Sequence, residues 1–293
     1  MIYTMERFVT MVRIITDSAA DFEPAELERL TVTCIPLTVM FGEQEYHENI
    51  DLSKERFYEL LLSNEELPKT AQASPEILLN LFTDAMEAGE EAVYITLSSA
   101  LSGTYQNACM IRDMAGGKGL HVVDSLHATG GQRLLVEHAV KLRDEGKSAS
   151  EIVEAVKFLQ GRIVLYACID TLEYLYKGGR ISHAAYTIGS LAQIKPIITV
   201  NTAGQVDVPG KTMGMRKGMV YLCKRLDLKP MDPAFPLYVM YTNKRSVAEE
   251  LADRLRAQGL EIPDERIIAV GAAIGSHVGP EACGLVYVGA EAR

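Results

Sequence analysis

Three serines at one junction of the sequence have the chemistry and spacing of an anion-binding turn. Ser98, Ser99 and Ser102 follow an apolar run at residues 94–97, and a helical pattern begins after Gly103. Hydroxyls at such a junction point outward from the carboxyl end of the strand, and the helix N-terminus adds partial positive charge. The turn therefore suits a small carboxylate or phosphate head group, although strand-to-helix junctions also use serines purely as turn and N-cap residues.

Two further polar junctions precede helical patterns. Asp17 and Ser18 directly follow a predicted buried strand, at the position where open α/β sheets bind ligands. Thr70 and Gln72 lie in the loop before a helix that begins at Pro75. Asp and Ser also satisfy turns for local reasons, and a capped helix start needs no ligand, so both interpretations stay open for these residues.

Composition and charge exclude several classes of protein. With 293 residues, 48% of them apolar, the chain can bury a large core and exceeds the usual size of one domain. A net charge of −10 without a basic cluster argues against a general nucleic-acid or anionic-membrane binder. The five cysteines are widely spaced and form no CxxC pair, which indicates neither a disulfide framework nor a zinc site. No apolar run reaches the roughly 20 residues of a membrane span, so we expect a cytoplasmic protein and leave only transient membrane contact open.

The order of predicted elements indicates two domains. Strands and helices alternate over the first half with polar turns at strand ends, which predicts a mostly parallel sheet covered on both faces. One continuous apolar strand is predicted at 32–41 in this half. The second half contains a helix to Ala192, an antiparallel hairpin, and His277 in a turn between the last two strands. We therefore predict an α/β domain at 11–165 and an α+β domain at 166–293.

Several short motifs, taken together, carry a resemblance to a known family. In chain order they are Thr16-Asp17-Ser18, Ser98-Ser99-Ala100-Leu101-Ser102-Gly103-Thr104-Tyr105-Gln106, Leu172-Glu173-Tyr174-Leu175 with Lys177-Gly178-Gly179-Arg180-Ile181, Ile194-Lys195-Pro196 and His277-Val278-Gly279-Pro280. The chain resembles the DegV family of bacterial fatty-acid-binding proteins, and the match spans nearly all of it. Several motifs at compatible spacing are far more specific than any one of them alone.

The resemblance implies a fold, a ligand and a partner. It implies a Rossmann-like α/β domain followed by an α+β domain, with a long-chain fatty acid bound between them and no cofactor or metal. It also implies that the protein presents the acyl carboxylate to a partner ATP-dependent kinase, as the fatty-acid-binding subunit of bacterial fatty acid kinase.

The resemblance also assigns residues to the head group of the fatty acid. The contacts carry over to Thr70 and Ser102, with Arg180 and His277 approaching from the other domain. Ser98 and Ser99 are expected at the same mouth. Ser, Thr and Arg side chains donate hydrogen bonds to a carboxylate, and His can donate or release a proton near neutral pH.

Three positions depart from the family's usual pattern. Ala71 and Ala73 stand where the family usually has Ser and Pro, so the loop that carries Thr70 loses one hydroxyl and one stiff residue and is expected to be looser. Glu281 stands where the family commonly has glycine, which is expected to add a carboxylate close to the anion site. The first eleven residues have no family counterpart, so the true start codon stays open.

Two enzyme classes are alternatives to a binding protein. A serine hydrolase, or another acyl-processing enzyme, could combine Ser98, Ser99 or Ser102 with His277 and an aspartate, although the sequence has no Gly-x-Ser-x-Gly elbow. A nucleotide-using enzyme would need a Gly-x-Gly-x-x-Gly turn or a Gly-x-x-x-x-Gly-Lys loop, and the sequence contains neither. The sequence favours a binding protein and leaves open the acyl chain length, its unsaturation and the oligomeric state.

Overall fold

The computed structural model describes residues 12–187 and 193–291. Its strands are β1 (Val12–Asp17), β2 (Val32–Ile35), β3 (Thr38–Phe41), β4 (Gln44–His47), β5 (Lys69–Ala71), β6 (Glu91–Thr96), β7 (Leu120–Asp124), β8 (Ile163–Ile169), β9 (Ile194–Val200), β10 (Val206–Met213), β11 (Tyr238–Tyr241), β12 (Ile267–Ala269) and β13 (Ala282–Val288). Its α-helices are α1 (Pro24–Leu30), α2 (Lys54–Ser63), α3 (Pro75–Glu87), α4 (Thr104–Met114), α5 (Thr129–Asp144), α6 (Ala149–Gln160), α7 (Glu173–Lys177), α8 (His183–Thr187), α9 (Met215–Leu228), α10 (Arg245–Ala257) and α11 (Ala272–Val278).

The first sheet is parallel throughout, as the alternation of strands and helices predicts. Its strand order is β2-β1-β6-β7, and every pair in it is parallel. Successive side chains of a strand point to opposite faces, so Ile14 packs against the helices α5 and α6 while Ile15 packs against α3 and α4. Both faces of this sheet are therefore covered, which is the arrangement that a parallel sheet requires.

The second sheet is mixed and has six strands in the order β10-β9-β8-β13-β11-β12. Its pairs are antiparallel except for β11 with β12, and the predicted hairpin is β9 with β10. Helices α9 and α10 cover one face through Leu222 and Leu251, which are fully buried. The predicted fold class, a Rossmann-like α/β unit followed by an α+β unit, is confirmed.

A third sheet of three strands, in the order β4-β3-β5, corrects one prediction. The apolar run at 32–41 forms two strands, because Pro36 has no N–H and interrupts the run. Strand β2 pairs with β1 in the first sheet, whereas β3 pairs antiparallel with β4 and β5. The small sheet carries Thr70 on β5, next to Val39 of β3.

Helix α5 lies between the first and second sheets and joins their cores. One apolar cluster contains Ile95 of the first sheet, Leu135 of α5 and Val288 of the second sheet. At Gly130, in the first turn of α5, a Cβ atom would come within 2.5 Å of the side chain of Val286 in β13. A glycine inside a helix costs about 1 kcal/mol relative to alanine, and here it allows the helix to touch the second sheet.

Three predictions about the second half have other outcomes. The predicted boundary at 165/166 falls inside β8, which lies wholly in the second sheet, and the division into two domains at that point stays a prediction. Of the helix predicted to reach Ala192, the structure describes α8 as far as Thr187, and residues 188–192 lie outside the described residues. His277 lies in helix α11 and not in a turn. Within the described ranges, no helix combines the length and apolar character needed to cross a membrane.

Candidate ligand-binding site

A cavity of about 250 Å³ lies where the three sheets meet. Its apolar walls come from distant parts of the chain, including Leu97 after β6, Leu165 in β8, Ile198 in β9 and Ile274 in α11. It opens at the carboxyl end of the first sheet, where open α/β sheets bind ligands. Mostly apolar walls with a few polar groups are typical of a site for a small amphipathic molecule.

Four of the six predicted site residues line this cavity: Thr70, Ser102, Arg180 and His277. They come from β5, the turn before α4, the segment after α7 and helix α11. The side chains of Thr70 and His277 are in direct contact, with 3.0 Å between Oγ1 and Nε2. The fold therefore brings together side chains that are up to 207 positions apart in the sequence.

His277 is a neutral side chain at physiological pH. Burial, and then the nearby Arg180 guanidinium, lower the pKa of His277 to about 4. Its Nδ1 atom is buried without a hydrogen-bond partner among the described residues and lies against Gly178, where a Cβ atom would be only 2.2 Å away. With the remaining proton on Nε2, the ring donates to the Thr70 hydroxyl, which then has its own proton free for a ligand.

Arg180 brings a half-buried positive charge to the cavity without a negative partner. Its guanidinium donates from Nε to the backbone carbonyl of Leu101 at 3.0 Å and from Nη1 to the carbonyl of Gly178. Burial lowers the pKa of Arg180, and no carboxylate of the described residues offsets that effect. Because arginine stays protonated in proteins, its positive charge at the cavity is not neutralised by a carboxylate of the described residues. An anionic ligand would neutralise it.

Ser102 is held by the start of helix α4. Its Oγ accepts from the backbone N–H of Thr104 at 3.2 Å and lies 3.0 Å from Thr104 Oγ1. The Ser102 O–H can therefore donate into the cavity while the oxygen stays fixed by the helix N-terminus. Gln72, on the loop from β5, lies against the same turn, since a Cβ atom at Gly103 would be 2.8 Å from Gln72 Oε1.

Ser98 and Ser99 do not line the cavity. Ser98 is fully buried, and its Oγ donates to the carbonyl of Gly204 in the β9–β10 hairpin at 2.9 Å. Ser99 is held through its backbone N–H by Asp124 Oδ1 at 3.1 Å. Ser98 thus links the hairpin of the second sheet to the carboxyl end of the first sheet, which is a structural role.

Asp17 and Ser18 also have structural surroundings and not cavity contacts. Asp17 accepts from the backbone N–H of Leu97 at 2.8 Å and from the side chain of Gln132 at 3.1 Å. Burial raises the pKa of Asp17 to about 6. Ser18 donates to Glu48 at 2.6 Å and accepts from the N–H of Leu37. For both residues the local interpretation of the sequence agrees with their position.

A second, smaller chamber of about 50 Å³ continues the cavity into the second sheet. The two spaces share five lining residues, namely Thr129, Leu165, Ile198, Ile274 and Val278. The far walls of the smaller chamber include Met240 of β11 and Cys283 and Gly284 of β13. The site therefore has a polar end at the head of α4 and an apolar extension towards the second sheet.

Thr129 is a cavity residue that the sequence did not reveal as one. It is buried, has a φ of +49° and donates from Oγ1 to Met240 Sδ at 3.5 Å. The sequence shows it only as the start of a helix. Its one distinguishing signal is its place after β7, where the strand end is followed by a polar turn.

The three departures from the family pattern have different structural settings. Ala73 is fully buried in the core under α3, and Asn107 Nδ2 holds its carbonyl at 3.1 Å, so the loop is anchored without a proline. Ala71 ends β5 and lines the cavity. Glu281 forms an ion pair with Lys244 at 3.7 Å and is not among the lining residues, so its carboxylate does not occupy the anion site.

Comparison with known proteins assigns the family. The model of the DegV family, a family of uncharacterised proteins, matches residues 11–290. The chain belongs to the DegV family. A DegV domain-containing protein of Caldanaerobacter subterraneus subsp. tengcongensis is 34% identical over 277 residues, which cover 94% of this chain and 98% of that protein.

Solved structures of DegV relatives share the whole architecture. DegV of Bacillus subtilis, described as a fatty acid binding protein, is 27% identical, with a TM-score of 0.82 over 96% of this chain and 100% of that one. A stearic acid-binding protein of Eubacterium ventriosum is 25% identical, with a TM-score of 0.86 over 95% of this chain and 98% of that one. The fold that surrounds the cavity is therefore the fold of proteins described as binding fatty acids.

Proposed function

We propose that this protein binds a long-chain fatty acid, with the carboxylate at Thr70, Ser102 and Arg180 and with His277 orienting the Thr70 hydroxyl. The observation that carries the proposal is the Arg180 guanidinium, which has no carboxylate partner among the described residues and lies at the polar end of a mostly apolar cavity. The DegV relatives that are described as fatty-acid-binding proteins support the same ligand class.

The chemistry of the two ends matches such a ligand. Burial of methylenes contributes about 0.8 kcal/mol each, so a 16-carbon chain gains roughly 11 kcal/mol before costs. Removal of a carboxylate from water costs several kcal/mol unless a cation and hydroxyl donors meet it. Arg180 supplies the cation, and the hydroxyls of Ser102 and Thr70 supply donors.

We further propose that the bound acid is a substrate for a second protein. The protein would act in the cytoplasm as the fatty-acid-binding subunit of a fatty acid kinase, and would present the carboxylate for formation of an acyl phosphate. Phosphoryl transfer needs backbone that cradles phosphates, a cation clamp and Mg²⁺ ligands. The described residues contain no group of three or more His, Cys, Asp or Glu side chains that could hold a metal ion.

The alternative of a serine hydrolase has weaker support from the geometry. A hydrolase serine needs a hydrogen-bonded base that a third group orients. Here His277 Nε2 contacts Thr70, and the Ser102 hydroxyl is held within its own turn by Thr104. A histidine whose pKa is lowered to about 4 is also a poor general base at neutral pH.

The presentation role can be tested with purified components. The protein is incubated with oleate, Mg²⁺ and ATP, with and without a fatty acid kinase. We expect ATP consumption and acyl phosphate only when the kinase is present. Consumption of ATP by the protein alone would show that it is an enzyme, and no acyl phosphate in the complete mixture would contradict presentation.

A further inference from the structure

Helix α11, which carries His277, has no cap of its own at its N-terminus. Its N-cap residue is Gly271, which has no side chain to satisfy the first N–H groups. Two carboxylates from the first part of the chain take that place. Asp21 Oδ1 accepts from the N–H of Gly271 at 2.8 Å, and Glu48 Oε1 accepts from the N–H of Ala273 at 3.3 Å.

The same region of the chain also holds the residue before the helix. The hydroxyl of Tyr58 in α2 donates to the carbonyl of Val270 at 2.9 Å. Asp21, Glu48 and Tyr58 are all nearly fully buried, with 1 to 3% of each residue exposed. The first residues of α11 and the residue before them are therefore hydrogen-bonded by side chains that lie more than 200 positions away in the sequence and outside the second sheet.

The other end of α11 is attached to the same small sheet. Glu48 directly follows β4, and Thr70, the partner of His277, lies in β5; both strands pair with β3. Ala273 and His277 are four residues apart, which is about one turn of the helix. The helix is thus fixed to one three-stranded sheet at two points, one turn apart.

We propose that Asp21 and Glu48 are positioning residues that fix the register of α11 and so hold His277 against Thr70 at the head-group end of the cavity. The proposal rests on the proposed function, because the position of His277 matters for binding only if a head group occupies this end of the cavity. A shift of the helix by one hydrogen bond would move His277 by about 1.5 Å, enough to break its contact with Thr70.

Burial of two carboxyl groups costs free energy of desolvation, which argues against an incidental contact of Asp21 and Glu48 with α11. Burial raises the pKa of Glu48 to about 7, with the neighbouring Asp21 adding to the rise, and burial raises the pKa of Asp21 to about 6. Ser18 donates to the second oxygen of Glu48, whereas Asp21 Oδ2 has no partner among the described residues. The titratable and charged groups that interact with this pair are Cys34, Lys54, Tyr58 and Arg133.

Two substitutions of Glu48 separate the effect of its hydrogen bonds on the position of α11 from the effect of its charge. In Glu48→Gln the amide oxygen can still accept from Ala273, and the amide N–H₂ can donate to Ser18 Oγ in place of the lost acceptor. Glu48→Ala removes both contacts. Glu90→Ala is the matched control, because the Glu90 side chain is also largely buried but pairs with Arg13 at the start of β1, and neither residue lines the cavity.

The experiment has one readout without ligand and one with it. Without ligand, amide hydrogen exchange in α11 and the NMR signals of the His277 ring report the position of the helix. With palmitate, calorimetric titration reports affinity. For Glu48→Ala we expect faster exchange in α11, a shifted His277 signal and roughly tenfold weaker binding. For Glu48→Gln and Glu90→Ala we expect exchange rates and affinities within about threefold of wild type, and an unchanged His277 signal.

Two results would overturn the proposal. One is a folded Glu48→Ala variant with wild-type exchange in α11 and an unchanged His277 signal. The other is a Glu90→Ala variant that speeds exchange in α11 as much as Glu48→Ala does, since the effect would then be a general loss of stability. If the wild-type protein does not bind palmitate, the proposed function fails while the ligand-free readout still decides the positioning role.

Discussion

The close packing of His277 on Gly178 gives the paired glycines after α7 a specific meaning. Gly178 has an ordinary helical backbone, with φ of −74°, so its small size and not its flexibility is what the site uses. A methyl group there would collide with the imidazole at Nδ1. The neutral His277 ring is therefore held between Gly178 on one side and Thr70 on the other.

This packing predicts the effect of one added methyl group. Gly178→Ala should displace His277 and lower palmitate affinity about tenfold, because a Cβ atom only 2.2 Å from Nδ1 forces the ring away from Thr70. Gly161→Ala is the control, since Gly161 is also a helix C-cap with φ of −69° and has no atom within 4 Å of an added Cβ. Gly161→Ala should keep affinity and gain up to about 1 kcal/mol of stability. Equal affinities for the two variants in calorimetry would contradict this account of Gly178.

The two neighbouring serines of the first motif should differ in their effect on binding. Ser102→Ala should weaken palmitate binding by about 1–3 kcal/mol, because a buried carboxylate loses a donor. Ser99→Ala should change affinity little, since Ser99 is held through its backbone N–H and lies outside the cavity lining. Calorimetric titration of both folded variants with the same acid measures the difference. Negligible losses in both would mean that the turn before α4 is only structural.

At the scale of elements, the sequence predicted those parts of the fold that local signals control. A capping box of Ser148 with Glu151 begins α6, and Ser53 caps α2 through the N–H of Arg56, so both helix starts follow from residues next to them in the sequence. The division of residues 32–41 between two sheets was missed, because β3 finds its partners in later strands. The sequence around a residue also did not show whether that residue lines the cavity, as Thr129 illustrates.

The position of His277 was the main error at this scale. The sequence Ile274-Gly275-Ser276-His277 has a glycine that favours a turn, and α11 is only seven residues long. It forms a helix because Asp21 and Glu48 satisfy its first N–H groups and because it packs on α2. Such contacts across 200 positions cannot be inferred from spacing. The family resemblance assigned Thr70 and His277 to one head group, but their direct contact was not predicted.

The strands of the second sheet should set the length of the bound chain through Met240. Met240→Ala should enlarge the small chamber and shift the preferred acid by about two or three carbons to longer chains. Met219→Ala is the control. Met219 in α9 is also nearly fully buried, but it packs against α10 and lines neither chamber. Both variants should lose about 2–5 kcal/mol of stability. Competition between acids of 14 to 20 carbons measures selectivity, and unchanged selectivity in Met240→Ala would contradict a tail in this chamber.

At the scale of the whole molecule, one apolar core joins both large sheets, so the cavity is built between parts that are packed together. Helix α5 touches β13 through Gly130, and Arg133 of the same helix lies over the rings of Phe22 and Tyr238. The relative position of Ser102 and Arg180 is therefore set by the core as a whole. A site of this kind is largely formed before its ligand arrives, which lowers the cost of binding.

The buried carboxyl groups make stability depend on pH in a defined direction. The pKa of Glu48 is about 7 in the folded protein against an ordinary value of 4.5, so the folded state binds this proton more tightly than the unfolded state. The resulting stability is present at low pH and is lost as pH rises from about 4.5 to 7. Between pH 5 and 8, wild-type protein should therefore lose about 2–3 kcal/mol relative to Glu48→Gln, in which this group does not titrate. Urea unfolding of both proteins at the two pH values measures this, and parallel pH dependence would contradict the raised pKa.

The central claim is that a carboxylate with a long apolar tail fills this cavity, and a series of acids tests it most directly. Lipid-free protein is titrated calorimetrically with saturated fatty acids from 2 to 16 carbons at constant pH. The account predicts one site per chain and affinity that rises with each methylene by up to about 0.8 kcal/mol until the two chambers are filled. Binding of acetate or butyrate as tight as that of palmitate, or no binding of palmitate at all, would contradict it.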